Sequence, residues 1–527
     1  MPCPELWYPY GGAVRSWLAV VALNVLMLLP LSMSQGAEPW LALGLCGDVL
    51  VLVSLLGWWK RPRLAAVVYG ALLVYEFDRL IGAWLMGQDP LLFDQALLLR
   101  HLLVLVMDLH GAAGLLMLGG AVMVLVALLG VGGWLFRVAS EAPGLKRLVW
   151  LVPIAIGLAF FGRWPARWVV PDLLVDVWKS VEVVQRLGAS MGSVHPELGE
   201  LPLTRKPDVE LHIIESYGRM MNAPALSEGW HERLAESDAV LGEEWTVVSA
   251  WMTAPVAGGR SWIADASLLL GVKLEHQSEY QAIAGTFHDK NHMPQWFEDR
   301  GYQSVVMRPK DRARPGIELR DDFAWNHMVF HAELDYRGPL YGWGGVPDQY
   351  SLGWLREELW PTLEGPRFLF SHMVGSHAPW EEVPPLVEDW RTLDDGSAET
   401  TEDKDVDLAR EASKFARKKK TRAGYVGKLK RRGEDYQAAV HYDLEVLTRD
   451  LQSPRDGDAV VVWLGDHQPP LFSLQKNFDV PVHVLTTDPV FVEGLKEAGF
   501  TEGFVPEGKP VGGLWEFYPM LARSISQ

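Results

Sequence analysis

Three short apolar runs lead into residues that bind cations or move protons. VELHII (209–214) is followed by Glu215, and AVVVWLG (459–465) by Asp466 and His467. RFLFSHM (367–373) contains His372, and His377 lies in the loop after it. Carboxylate oxygens together with an imidazole suit a divalent cation such as Mn²⁺, Mg²⁺ or Zn²⁺. The segment MTAPVAGGRSWIADASLLLG (252–271) supplies a hydroxyl. Two glycines and an arginine precede Ser261, and an apolar helical run follows it. This predicts Ser261 at a helix N-terminus, where backbone N–H groups and the helix dipole favour an anion. A serine hydroxyl is a poor nucleophile until a base or a metal activates it. A cation held by Glu215, Asp466 and His467 would activate it and polarise a phosphoryl oxygen. Each feature has a plainer use on its own: a strand-end acid or Ser261 can simply cap a helix, and Gly-Asp-His can be a turn. It is the combination that points to chemistry.

The elements that must position these groups are legible in the pattern around them. YQSVVM (302–307) and VPVHVL (480–485) join the three runs above as buried strands, and helical patterns lie between them at 261–270, 349–363 and 434–452. Such alternation predicts an α/β domain, a mainly parallel sheet with helices on both faces. In these sheets reactive groups gather past the carboxyl ends of the strands, where Glu215, His372, Asp466 and His467 lie. The segment 387–435 is a charged insertion, acidic first (EDWRTLDDGSAETTEDKDVD) and then basic (KFARKKKTRAGYVGKLKRR). It reads as a solvated surface loop or helix; in the sharper reading its basic run meets anionic lipid head groups or glycan phosphates.

The first 165 residues obey a different solvent. Five apolar stretches, roughly 13–33, 39–59, 65–86, 112–136 and 146–162, approach the ~20 residues that cross a bilayer. A cleaved signal peptide would account for the first alone. Lys60, Arg61 and Arg63 lie between the second and third stretches, and Arg137, Lys146 and Arg147 between the fourth and fifth. The positive-inside rule puts both loops in the cytoplasm, so an odd number of spans leaves the rest of the chain outside. The third stretch contains Glu76, Asp78 and Arg79, which either pair within the bundle or carry function. The run 91–107 is apolar but broken by charge and fits an interfacial helix. Residues 166–206 read as an amphipathic linker. The domain reading is therefore 1–165 membrane-embedded and integral to the membrane, 166–206 linker, and 207–527 catalytic. The net charge of −18 excludes general nucleic-acid binding. The two cysteines, Cys3 and Cys46, leave none for a thiolate site beyond residue 165.

In the order VELHIIESYG (209–218), AGGRSWIAD (257–265), FEDRGYQSVVMRP (297–309), WGGVPDQY (343–350), FSHMVGSHAPW (370–380) and VVVWLGDHQPP (461–470), the sequence resembles the alkaline phosphatase superfamily. Within it the resemblance is to membrane-bound sulfatase-like enzymes related to lipoteichoic acid synthases and phosphoethanolamine transferases. It covers about 207–470 by motif and the N-terminal bundle of about five transmembrane helices by architecture only. The resemblance implies one divalent metal ion bound by Glu215, Asp466 and His467. Ser261 would be both ligand and nucleophile, where relatives usually carry threonine. It also implies that His377 contacts the transferred group or leaving oxygen. Arg308 falls where some lipoteichoic acid synthases have a histidine, and its guanidinium suits an anionic oxygen. Ser261 is followed by WIAD, not by the C/S-x-P-x-R pattern of true sulfatases, which argues against a formylglycine enzyme. A second metal does not map; His483 is open between a ligand and a buried structural histidine.

The function these residues and this resemblance imply is that of a transferase. It would pass a phosphoglycerol or phosphoethanolamine group from a membrane phospholipid, through a phosphoseryl enzyme, to an envelope glycan or lipid. It would sit in a bacterial-type inner membrane with its catalytic domain outside. A phosphodiesterase or sulfatase-type hydrolase with the same site, and an inactive membrane scaffold of the same fold, are the alternatives.

Overall fold

The protein is described by a computed structural model covering residues 8–33, 44–86, 92–153, 156, 166–190, 195–285, 287, 291–313, 323–341, 345–378, 380, 383–394, 422–470 and 477–526. It divides into two compact units, Met1–Val183 and Val184–Gln527. Most of the charged insertion, 395–421, lies outside the described residues.

In the first unit, α1 (Tyr8–Met33), α2 (Gly47–Trp59), α3 (Pro62–Met86) and α4 (Leu92–Ala139) pack around Leu23, Met27, Val53, Tyr69 and Phe136. Two stretches among the described residues are long and apolar enough to cross a membrane, Gly12–Pro30 and Ala113–Ala139. Three of the five expected spans do not meet that test among the described residues. The α2 helix has 13 residues, about 20 Å at 1.5 Å per residue, short of a ~30 Å core. It starts directly after β1 (Leu45–Cys46), which pairs in parallel with β2 (Ala166–Arg167). The α3 helix has the length, at 25 residues, but carries Glu76, Asp78 and Arg79. The fifth stretch opens as a 3₁₀ turn, Leu145–Leu151, and 157–165 lie outside the described residues. The interfacial segment 91–107 is no separate helix: α4 runs unbroken for 48 residues.

Glu76 and Arg79 of α3 pair with the linker. Arg167 reaches Glu76 at 2.7 Å, Arg79 reaches Asp172 at 3.0 Å, and the Tyr75 hydroxyl donates to Asp176. Asp172 and Asp176 lie on α5 (Val169–Ser190), whose other side exposes Leu174 and Trp178. Glu76 and Arg79 are therefore structural ties.

The second unit is built on an eight-stranded sheet. Its strands are β3 (Asp208–Ile214), β4 (Thr246–Thr253), β5 (Gln303–Arg308), β6 (His327–Phe330), β7 (Arg367–Met373), β8 (Ala459–Gly465), β9 (Asp479–Thr486) and β10 (Thr501–Glu502), in the order β10-β4-β9-β8-β3-β7-β5-β6. From β8 through β6 every pairing is parallel, with β3 central. Beyond β8 the pairings β8–β9, β9–β4 and β4–β10 are antiparallel, so the sheet is mixed with a parallel core. Both faces of that core are covered, which is why its strands read as continuous apolar runs. Along β8, Val460, Val462 and Leu464 pack against α7 (Ser261–Leu270) and α10 (Phe517–Ile525). Val461 and Trp463 face the layer formed by α6 (Ser227–Leu241) and α9 (Arg422–Leu451). Between α7 and α9 lies the short helix α8 (Asp348–Trp354).

Candidate metal centre

The register of β3 against β8 pairs Ile214 with Gly465, so Glu215 and Asp466 leave the sheet side by side although 251 positions apart in sequence. Gly465 makes this possible. A Cβ there would lie 1.8 Å from the Tyr217 carbonyl oxygen. Gly465→Ala should therefore drive the two strand ends apart. The expected result is a loss of ~2 kcal/mol or more in unfolding free energy and loss of cation binding, measured by denaturant melts and calorimetric titration.

Two residues with left-handed backbone flank the cluster. Ser216 (φ 60°) follows Glu215, and Arg260 (φ 68°) precedes Ser261. Such conformations in non-glycine residues cost free energy and concentrate at functional sites. The turn at Arg260 starts α7, with Ser261 as its first residue.

The side chains converge. Ser261 Oγ lies 3.2 Å from each Glu215 carboxylate oxygen and 3.2 Å from His467 Nε2. His467 Nε2 is 3.5 Å from Glu215 Oε1 and 3.3 Å from Asp466 Oδ2. The ligand atoms of Glu215, Asp466 and His467 all lie within 4.8 Å of one another, and all three residues are buried. His467 Nδ1 bonds the Gln468 carbonyl at 2.9 Å, which puts its hydrogen there and turns the Nε2 lone pair to the cluster. Asp466 Oδ1 accepts the Ser216 and His467 amides at 2.8 Å each. Asp466 Oδ2 is buried and accepts no hydrogen bond. A buried carboxylate oxygen left over in a ring of two acids, an imidazole and a hydroxyl fits a divalent cation. His467 cannot fill that role while its Nδ1 holds the proton.

Electrostatics agree. Burial works against the Glu215 carboxylate, but Lys310, and after it His377 and His467, hold it well below the usual carboxylate range. Burial and then Glu215 push Asp466 up to about 6. Burial lowers His377 to about 4, assisted by Lys310, so its imidazole is neutral at ordinary pH. Its Nδ1 meets the Ala378 carbonyl at 2.5 Å.

Lys310 is the residue that sequence reading missed. It lies two positions beyond the end of β5, and its Nζ donates to Glu215 Oε2 at 2.9 Å. Strand-end inspection stopped at Arg308. Arg308 Nη2 lies 3.7 Å from Asp265 Oδ2, one turn along α7 from Ser261. His372 Nε2 is 3.0 Å from the same oxygen, too oblique for a hydrogen bond. Of the two roles left open for His483, the structure favours the buried structural one. It is a fully buried residue of β9 and joins Tyr217 OH at 3.0 Å and Ser249 Oγ at 2.9 Å. Since an ammonium beside a cation repels it, Lys310→Met should tighten binding of Mn²⁺ or Zn²⁺ by about tenfold, or ~1.4 kcal/mol, in a calorimetric titration of the full chain.

No family model matches the sequence, and no characterised protein sequence does. Solved structures do. The integral membrane lipooligosaccharide phosphoethanolamine transferase A from Neisseria meningitidis is 12% identical, with a TM-score of 0.50, over 96% of this chain and 94% of its own. The lipoteichoic acid synthase LtaP from Listeria monocytogenes is 14% identical over 65% of this chain and 78% of its own, with a TM-score of 0.36. The phosphoglycerol transferase GacH from Streptococcus pyogenes, in complex with sn-glycerol-1-phosphate, is 10% identical over 66% and 80%, also with a TM-score of 0.36. The Neisseria likeness spans nearly the whole of both chains, and what it establishes is architecture: this chain shares the fold of that membrane protein.

Proposed function

We propose that the protein is a metal-dependent phosphotransferase that moves a phospholipid head group, phosphoethanolamine or phosphoglycerol, to an envelope glycan or lipid through Ser261. One observation carries this reading: Ser261 Oγ shares a buried cluster with Glu215, Asp466 and His467. The fold likeness to a membrane phosphoethanolamine transferase supports it. Glu215, Asp466, His467 and Ser261 would hold the cation, which when bound supplies Lewis-acid polarisation of a phosphoryl oxygen.

The chain's own groups do the rest. Ser261 Oγ–H has acceptors at Glu215 and His467, and the start of α7 offers amides to an anionic oxygen. The Oγ–phosphorus bond forms as the bond to the diacylglycerol oxygen breaks. The acceptor hydroxyl then attacks the phosphoseryl group and restores Ser261. His377, neutral and with Nδ1 on the Ala378 carbonyl, is suited to take the acceptor's proton at Nε2. Arg308 and Lys310 offer positive charge to the phosphate. Anchoring by apolar helices raises the local concentration of a lipid donor.

The test uses the full chain in vesicles containing phosphatidylethanolamine or phosphatidylglycerol labelled in the head group. Diacylglycerol release with transient label on Ser261, abolished by a chelator, is expected. Release of the free head-group phosphate without labelled enzyme would replace transfer by direct hydrolysis. No turnover of either lipid, with no bound cation, would leave a scaffold.

A further inference from the structure

Two acids meet in the interior beside the metal centre without touching its ligands. Asp348, the first residue of α8, and Asp443, on α9, are 1% and 0% exposed. Asp348 Oδ1 accepts the Val374 amide and Oδ2 the Gly375 amide, both at 2.7 Å; Asp443 Oδ2 accepts the Ser376 amide at 3.0 Å. Three successive amides are thus held by two side chains. A Cβ on Gly375 would lie 2.4 Å from Asp443 Oδ1 and 2.9 Å from Asp348 Oδ2, so the two oxygens converge over this glycine. Two buried carboxylates placed so close repel each other, and a hydrogen bond between them requires one to be protonated, since a carboxylate carries no hydrogen. Both Asp348 oxygens already accept from amides, whereas Asp443 Oδ1 receives no donor. The hydrogen therefore belongs on Asp443 Oδ1 and points at Asp348.

The backbone so held carries two parts of the site. Ser376 Oγ–H donates to the Glu215 carbonyl at 2.6 Å, and the next residue is His377. We propose that Asp348 and Asp443 are a proton-sharing positioning pair that sets the places of Glu215 and His377. The proposal rests on the phosphotransferase reading of the site for its effect on rate, but not for the shared proton. Burial, then Asp348, holds the Asp443 carboxyl well above the usual range. Lys310 and Tyr442 also act on Asp348.

The test compares full-length Asp443→Asn, Asp443→Leu and Asp348→Asn on bis(p-nitrophenyl) phosphate, with cation content measured in each. Asparagine at 443 keeps the acceptor for Ser376 and puts an N–H where the acid's hydrogen was. Its kcat should stay within a few fold of the parent. Asp443→Leu should lower kcat roughly hundredfold, the scale of an ångström misplacement, with KM and bound cation unchanged. Asp348→Asn should fall likewise, because its amide must face an N–H of Val374 or Gly375. An Asp443→Asn variant as impaired as the leucine variant overturns the proposal. A second readout is independent of turnover. At neutral pH the infrared spectrum of the parent should contain the C=O band of a buried neutral carboxyl that Asp443→Asn removes. If no such band is lost, the shared proton is wrong even in an active enzyme; if it is lost in a chain without phosphodiesterase activity, only the phosphotransferase reading fails.

Discussion

Replacing Ser261 by alanine is expected to lower kcat on a nitrophenyl phosphodiester by at least about a thousandfold, because an attacking group has no substitute once its oxygen is gone. The fold should survive. Ser261 Oγ makes its contacts only within the charged cluster, and α7 is held by Ile263, Leu268 and Leu269 in the apolar layer. The variant should still bind one divalent cation through Glu215, Asp466 and His467, more weakly for the loss of a ligand. Ser261→Thr keeps the hydroxyl and should retain most of the rate. Pre-steady-state mixing separates the possibilities: the parent should show a burst of nitrophenol equal to one site per chain, and Ser261→Ala none. Turnover of Ser261→Ala at the parental rate would remove the covalent step and leave a centre that activates water.

The second large effect lies at the other end of β3. Glu210, its third residue, is fully buried and meets Arg356 through two hydrogen bonds, at 3.0 and 2.5 Å. It also accepts from Arg455 and from His212 Nε2, the latter at 3.1 Å. Asp450 receives Arg356 at 2.8 and 2.6 Å and Arg455 at 3.0 Å. Burial raises both acids, but Arg356 and Arg455 hold Glu210 well below the usual range and Asp450 below its own. Arg356→Met leaves two buried carboxylates to one guanidinium. The expected loss is ~3–5 kcal/mol in unfolding free energy, read from urea melts. The sign with pH is set by the lowered folded-state values. The contribution of this cluster is fully present above the unfolded carboxylate range, about pH 4–5, and disappears as pH falls toward the folded-state values. Arg356→Met should therefore flatten the acid limb of the stability curve. An acid limb unchanged by the substitution would assign it to other carboxylates.

Sequence reading reached the parallel core because its strands are buried on both faces. RFLFSHM and AVVVWLG coincide with β7 and β8 residue for residue, and VELHII lacks only Asp208 of β3. The cluster was legible for the same reason, since Glu215, Asp466 and His467 directly succeed such runs and Ser261 begins the helix read at 261–270. The antiparallel arm was only half legible. β9 carries an apolar run, but the strand TVVSAWMT of β4 mixes serine, threonine and tryptophan. Its pairing is decided by neighbours more than 200 residues away in sequence. Lys310 was missed because no pattern marks a lysine whose partner, Glu215, lies 95 positions earlier. Asp348 and Asp443 look like ordinary helix-surface acids until the fold closes over them. The membrane part was only partly legible: hydropathy counts apolar residues, and does not foresee that α2 stops at 13 residues or that Glu76 and Arg79 of α3 pair with Arg167 and Asp172.

The pairing of Ile214 with Gly465 also sets the order in which the cluster can assemble. Glu215 and Ser261 are synthesised some 200 residues or more ahead of Asp466 and His467. A chain cut before β8 lacks both the acid–imidazole pair and the strand that seats it beside Glu215, so such a fragment should hold no divalent cation at this cluster.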